Sequence, residues 1–512
     1  MSRPLRMGTA AAVVSGSVLL SRILGLGREA LLASLIGLNA EGDLYRLAFS
    51  IPDFLNYLLA GAYLTITLIP ILSRHIERDD QEAANRAFSS VFRFVSLAII
   101  GLTALLWIGA DQLVSLVFPE IVEDHDRLVS LTRLVLPAQV FLVVGALLMA
   151  VQYSYRRFVI PALAPIIYNL AIIATGLIGA AVGEASPEAF LLGAVIGSAV
   201  GNFGLQWIGA RRTGTRLVPV PKGDSAIKEY LLLSIPLMLG QSIAVLDEQF
   251  VRWFGQIEEG AASALTFARQ LNMVPIGVIA QAAGVAAFPF LARLAARGDD
   301  KELIETTGRT ARNTVFVAAA ATAVLVVLAG PLVRLLYQYG KFTEGDTELV
   351  ASLLVIYAFS IPAWGLHQII SRHFYAKRKM WTPVVIGTIG TLIAVPLWFG
   401  LYQSMGVEGF ALASTIVMTA YALALVAAWG RDSGWSPVRK LLPSFARGVV
   451  SAAVAALVAA PLVNRLFDQG DLTVLGSLGA AAIGGITALA AFILVAYLLR
   501  APELKELLAR RR

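Results

Sequence analysis

Three arginines stand in stretches that otherwise read as membrane-spanning. Arg22 and Arg28 lie in SRILGLGREALLASLIG (21–37), and Arg269 lies in SALTFARQLNMVP (263–275). An arginine at mid-bilayer costs on the order of 3 kcal/mol even on insertion scales, so three facing lipid would cost about 9 kcal/mol. Such residues must face water, a counter-charge or a ligand. A guanidinium keeps its charge at all working pH values and presents a planar fork of donors, which suits bidentate binding of phosphate. We therefore expect Arg22, Arg28 and Arg269 to bind an anionic group in a polar cavity. The plainer alternative is that Arg28 reaches outward to the membrane surface, Arg22 pairs with Glu29, and Arg269 meets an acidic neighbour. Gly25 and Gly27, between the first two arginines, would let the helix bend or a ligand approach its backbone.

The acidic residues near these spans have two readings, ion coupling or charge pairing. Asp53 follows Pro52, Asp247 precedes Glu248 near the outer end of a later span, and Glu29 follows Arg28. Asp43 and Arg46, at the outer start of the second span, read as an interfacial salt bridge. His75, His125, His367 and His373 form no ligand spacing, and the chain has no cysteine, so no metal site is expected. GLGRE (25–29) follows no strand and is not a nucleotide fingerprint, and no P-loop occurs. No cofactor is expected.

The elements that must position these residues are membrane helices. The 512 residues are 57% hydrophobic and 15% charged, against about a quarter charged in a soluble protein, and mean hydropathy is +0.74. Fourteen apolar windows fall near 9–37, 44–72, 88–118, 131–153, 159–182, 189–210, 228–252, 262–291, 312–337, 349–374, 382–404, 408–430, 443–466 and 473–499. Each approaches the roughly 20 residues that cross about 30 Å of hydrocarbon. The N-terminus has the look of a signal peptide, yet its apolar run continues into the arginine-bearing stretch and reads as a retained first span.

Loop charges alternate along the chain. Basic clusters at Arg74–Arg93, Arg156–Arg157, Arg211–Lys228, Arg293–Arg312, Arg372–Lys379 and Arg431–Arg447 face acidic or sparse loops such as PEIVEDHD (119–126), GEASPE (183–188) and QIEEG (256–260). The positive-inside rule places the basic loops and both termini in the cytoplasm. A net charge of +7 carried on such loops does not point to nucleic acid. The C-terminal LKELLARRR reads as a basic tail against anionic headgroups.

An internal repeat runs through these windows. IPILSRHIERDDQE (69–82) aligns with FPFLARLAARGDDKE (288–302), so that Pro70, Leu72, Arg74 and Arg78 match Pro289, Leu291, Arg293 and Arg297. The same offset of 219 relates DQLVSLVF (111–118) to GPLVRLLY (330–337), and an offset of 222 relates RRFVIP (156–161) to RKMWTP (378–383). The expected fold is therefore an all-α polytopic membrane protein of about 14 transmembrane helices. Two parallel six-helix repeats form two lobes, 1–217 and 218–436, and 437–512 adds two C-terminal helices and the basic tail. Transporters built from parallel repeats bind substrate between the halves, which favours alternating access.

The blocks SRILGLGRE (21–29), RFVIPALAPIIYN (157–169) and YGKF (339–342) carry a more specific signal. With them the chain resembles the MurJ/MviN lipid II flippase family, within the superfamily that also holds multidrug exporters and O-antigen flippases. The resemblance extends over the whole length. It implies a central cationic cavity and movement of an undecaprenyl-diphosphate-linked peptidoglycan precursor from the inner to the outer leaflet of the bacterial inner membrane. It also implies that Arg22 and Arg28 engage the diphosphate, that Asp43 matches an acidic position, and that the last two spans form a groove for the lipid tail. Cell-wall synthesis machinery is the implied partner. The chain departs from the family at Asn56, Tyr57 and Gly61, where arginines and a glutamate are usual. It departs again at Gln270, where the family has an arginine five residues before a proline, here Pro275. The expected function is a lipid II flippase and not an enzyme. A flippase for another polyprenyl-linked glycan, a cation-coupled multidrug exporter, a membrane enzyme on polyprenyl phosphates and a scramblase are the alternatives.

Overall fold

The computed structural model describes all residues except 1–6, 59–60, 184, 221–224, 240–241, 282–287, 289, 296, 470–473 and 510–512. Among the described residues the chain is helical throughout, without strands. Among the described residues, eight helices are long and apolar enough to cross a membrane, and a ninth is made by Glu344–Ala358 with Ile361–Ala376 if that pair, bent by 41°, is one crossing. Other windows are filled by helices in series. The second is α2 (Ala40–Ala48), α3 (Ser50–Leu58) and α4 (Gly61–Ile76), after α1 (Met7–Leu35). The fourth breaks between α7 (His125–Val135) and α8 (Pro137–Ser154), where Pro137 takes the first helical position and its missing N–H costs nothing. The 53-residue helix Trp381–Ser433 is two helices meeting at Gly406, whose φ of 63° and ψ of −140° are not helical. That position separates the windows 382–404 and 408–430.

The chain divides into two compact units. The first holds 1–241, 248–263 and 339–342; the second holds 242–247, 264–338 and 343–512. In the first, α4 and α8 pack with α5 (Gln81–Ile108) around Leu68, Ile71, Val91, Val95, Leu147 and Val151. In the second, Asp300–Tyr337 packs against Trp435–Gln469 and Val474–Leu498. Alanines at 319, 323, 455 and 496 bring those backbones close, and Phe316 fills the layer beside Phe492 at 5.1 Å between ring centroids. The C-terminal helix Pro502–Ala509 is tied on by Arg447 to Glu503 at 2.8 Å and Asn313 to Glu506 at 3.0 Å.

The repeat is visible in the backbone of each unit. After α4, Asp79 adopts φ 57°, its N–H bonds Ile76 O at 3.0 Å, and the Asp80 N–H bonds His75 O at 3.0 Å. Asp80 then caps the next helix by accepting from Ala83 N at 2.9 Å. At an offset of 219, Gly298 adopts φ 72°, the same two bonds form to Ala295 and Leu294, and Asp299 accepts from Glu302 N at 3.2 Å. A second corner repeats at an offset of 222. Arg156 and Arg378 have φ of 56° and 58°, and each begins the same pair of bonds back into the preceding helix. These are left-handed helix terminations that satisfy carbonyls the helix leaves open. Pro289, part of the sequence match, lies outside the described residues.

Candidate functional site

Helix α1 carries Arg22, Arg28 and Glu29 and continues unbroken through Gly25 and Gly27. Arg22 is exposed. Arg28 turns into the first unit instead of reaching outward. Its Nη2 donates to Glu29 Oε1 at 2.6 Å and its Nη1 to Asn169 Oδ1 at 3.2 Å. Asn169 belongs to α9 (Val159–Val182). Its amide donates to Pro165 O at 2.9 Å and also approaches Ser21 Oγ at 3.4 Å. Two of the recognisable sequence blocks, SRILGLGRE and RFVIPALAPIIYN, thus meet in space through Ser21, Arg28 and Asn169.

Glu29 has a second cation. Arg46 on α2 donates from Nη2 to Glu29 Oε2 at 3.1 Å and from Nε to Ser263 Oγ at 3.2 Å. Two guanidiniums therefore grip the two oxygens of a single carboxylate. Burial grades across the trio: 21% of the Arg28 side chain is exposed, against 4% for Glu29 and 6% for Arg46. Tyr45 and Tyr168 lie within electrostatic reach of Arg28, Glu29 and Asp53.

Asp43 sits one turn before Arg46 and is buried within the protein. Its carboxylate accepts the backbone N–H groups of Gly260 at 2.6 Å and Ser263 at 2.9 Å. These belong to the start of α14 (Ala261–Ile276), so Asp43 caps that helix from another part of the chain. Asp53 accepts from Arg252 at 2.6 Å; Arg252 lies on α13 (Ser242–Gly255). The Asp247 side chain, like those of Tyr57 and Gly61, lies outside the described residues.

Arg269 belongs to the second unit. It lines a cavity of about 30 Å³ with Asn272, Tyr357, Ser360, Trp398 and Ser414, a space sized for one or two waters. Asn272 donates to Ser360 Oγ at 3.3 Å and Trp398 Nε1 to Ser414 Oγ at 3.0 Å, so this cavity is polar on more than one side.

Sequence reasoning singled out Arg28 and Glu29 but offered Arg22 as the partner of Glu29, where Arg28 and Arg46 pair with it. It passed over Arg252 and read Arg46 as an interfacial partner of Asp43. An arginine closing one apolar window and an aspartate inside another were a legible hint that the two pair. A further grouping was also missed. Asp111, His125 and Asp126 bring their ligand-type atoms within 4.8 Å of one another, with His125 Nε2 at 3.0 Å from Asp111 Oδ1. Fourteen residues separate the first two, a spacing that carries no signal on its own.

A helical chain in two units, with long apolar helices and arginines held against buried carboxylates, defines a polytopic membrane protein. Solved structures share this fold. One described as lipid II flippase MurJ in an inward closed conformation superposes with a TM-score of 0.76 at 23% identity, covering 95% of this chain and 99% of that one. An inward-facing multidrug resistance MATE family transporter of the MOP superfamily gives 0.68 at 16% identity, covering 84% and 99%. Residues 32–478 match the family described as Lipid II flippase MurJ, and the chain belongs to that family. The probable lipid II flippase MurJ of Rhizobium tropici is 27% identical over 501 residues, 95% of this chain and 93% of its own. The lipid II flippase MurJ of Burkholderia cenocepacia is 29% identical over 398 residues, 75% of this chain and 76% of its own.

Proposed function

We propose that this protein carries lipid II from the inner to the outer leaflet of the bacterial inner membrane by alternating access, with both termini in the cytoplasm. Arg28 is the residue that meets the diphosphate, and Arg22 and Arg269 are further cations for the anionic headgroup. The observation that carries this reading is the trio around Glu29: two guanidiniums share one carboxylate, and the more exposed of them is Arg28. Charge sign argues against export of a cationic drug. Such a carrier needs an available intramembrane carboxylate, whereas Glu29 and Asp53 are each held by arginine. Carriage of another polyprenyl-diphosphate glycan is the second reading, favoured by Asn56 and Gln270 standing where the family usually has arginine.

The test is rescue of a bacterium depleted of its own lipid II flippase, with membrane insertion of this protein verified. Growth is expected with the native chain and is expected to fail with Arg28→Ala. Rescue that persists in well-inserted Arg28→Ala removes Arg28 from the diphosphate site. Failure of the native chain, in a host shown to accept a foreign family member, directs the reading to another polyprenyl-linked glycan.

A further inference from the structure

The Arg28 fork is already in use. Nη2 is on Glu29, Nη1 is on Asn169, and Nε is buried with no acceptor among the described residues. To grip a diphosphate with two parallel hydrogen bonds, Arg28 has to release Glu29. If Arg28 were the sole partner of Glu29, that release would strand a buried carboxylate, and an uncompensated buried charge is strongly unfavourable. The ion pair would then act as a lock that excludes the anion.

Arg46 changes this balance. It holds the other carboxylate oxygen, Oε2, and is itself fixed through Nε to Ser263 Oγ. When Arg28 leaves, Glu29 keeps a cation and a hydrogen bond. Counting charges, Arg28, Arg46 and Glu29 sum to one positive charge. Pairing Arg46 with Glu29 sets that charge on Arg28, the member of the trio that is one-fifth exposed.

We infer that Arg46 is a positioning residue that keeps Glu29 compensated, so that Arg28 can pass from Glu29 to the diphosphate of an arriving lipid. This rests on the reading of Arg28 as the diphosphate ligand. It adds a role for a residue that touches no substrate and that the sequence placed at the membrane surface.

The test uses the full-length protein in lipid nanodiscs, with undecaprenyl diphosphate as the probe and binding measured calorimetrically. Every variant is first checked for thermal unfolding. Arg46→Leu is expected to weaken binding about tenfold or more, because Arg28 is then locked on Glu29. Glu29→Gln is expected to bind more tightly than the native chain, because nothing locks Arg28. The double variant Arg46→Leu with Glu29→Gln is expected to regain most of the loss, since a neutral amide needs no cation. A merely structural brace predicts the opposite for the double variant, which would lack both ends of the contact. Native affinity in Arg46→Leu overturns the inference, and so does a double variant no tighter than Arg46→Leu. Should Arg46→Leu fail to fold, Glu29→Gln alone decides, and binding no tighter than native overturns the inference. Arg28→Ala separates the two levels. If it binds the probe as the native chain does, the underlying assignment of Arg28 fails and the hand-over fails with it. If it loses binding while the Arg46 series is flat, only the hand-over fails.

Discussion

Asp43 illustrates how far a residue's role can lie from its type. A carboxylate beside an arginine invites a salt-bridge reading, yet both its oxygens are taken by backbone N–H groups at the start of α14. Those donors are among the four that every helix leaves unsatisfied at its N-terminus, and a carboxylate there also complements the helix dipole. Asp43→Ala would orphan two buried donors and is expected to cost about 1–2 kcal/mol. Asp43→Asn, which keeps an acceptor without the charge, should fall between the two. Unfolding of the purified chain, together with hydrogen exchange at Gly260 and Ser263, reads this out. Equal stability of the native chain and Asp43→Ala would show that water replaces the cap.

Among the elements, the short strap 339–342 explains why YGKF stands out in the sequence. Within the first unit the Lys341 N–H bonds Ser34 O at 2.9 Å, where α1 ends. Gly340 has φ +60°, and a Cβ there would sit 2.2 Å from Ser34 O. Gly37, at φ +90°, faces the strap from the other side, with Lys341 Cβ 3.2 Å from where its own Cβ would be. Gly340→Ala is therefore expected to destabilise the strap by more than about 1 kcal/mol and to accelerate exchange of the Lys341 amide. Gly27 provides the contrast. It lies inside α1, nothing stands within 4 Å of an added Cβ, and Gly27→Ala should leave stability level or raised. The glycines that look most suggestive in the sequence, Gly25 and Gly27, leave α1 unbroken, while Gly340 is required by close approach.

For the molecule as a whole, charge on the cargo links transport to membrane potential. Moving a lipid-linked dianion outward is favoured by an inside-negative potential, by about 2.3 kcal/mol per charge per 100 mV. The chain carries no P-loop that would point to nucleotide hydrolysis. Lipid II flipping by this protein in sealed vesicles is thus expected to rise with an imposed inside-negative potential and to fall when a potassium ionophore collapses it. Rates indifferent to potential would require the charge to be compensated by a co-transported cation. The charge asymmetry of the loops sets orientation independently of this, because it acts while the spans insert.

Much of this molecule was legible from the sequence, and the parts that were not share one physical cause. Apolar windows located the helices, because burial in a membrane demands a long apolar run whatever lies next to it. The repeat offsets of 219 and 222 fell on corners whose left-handed residues and Asp caps are set by a few neighbouring residues, as at Asp79 with Asp80 and at Arg156. Local geometry of this kind is written locally. The partners of the charges are not. Arg252 meets Asp53 across 199 positions, Ser263 takes its N–H to Asp43 across 220, and Arg28 reaches Asn169 across 141. Sequence alone established that arginines inside apolar helices need partners, since the cost of leaving them in lipid is several kcal/mol. Which oxygen each one found, and that Arg46 and Arg28 share Glu29, was decided by tertiary packing, because ion pairing depends on distance in space and carries no sequence period.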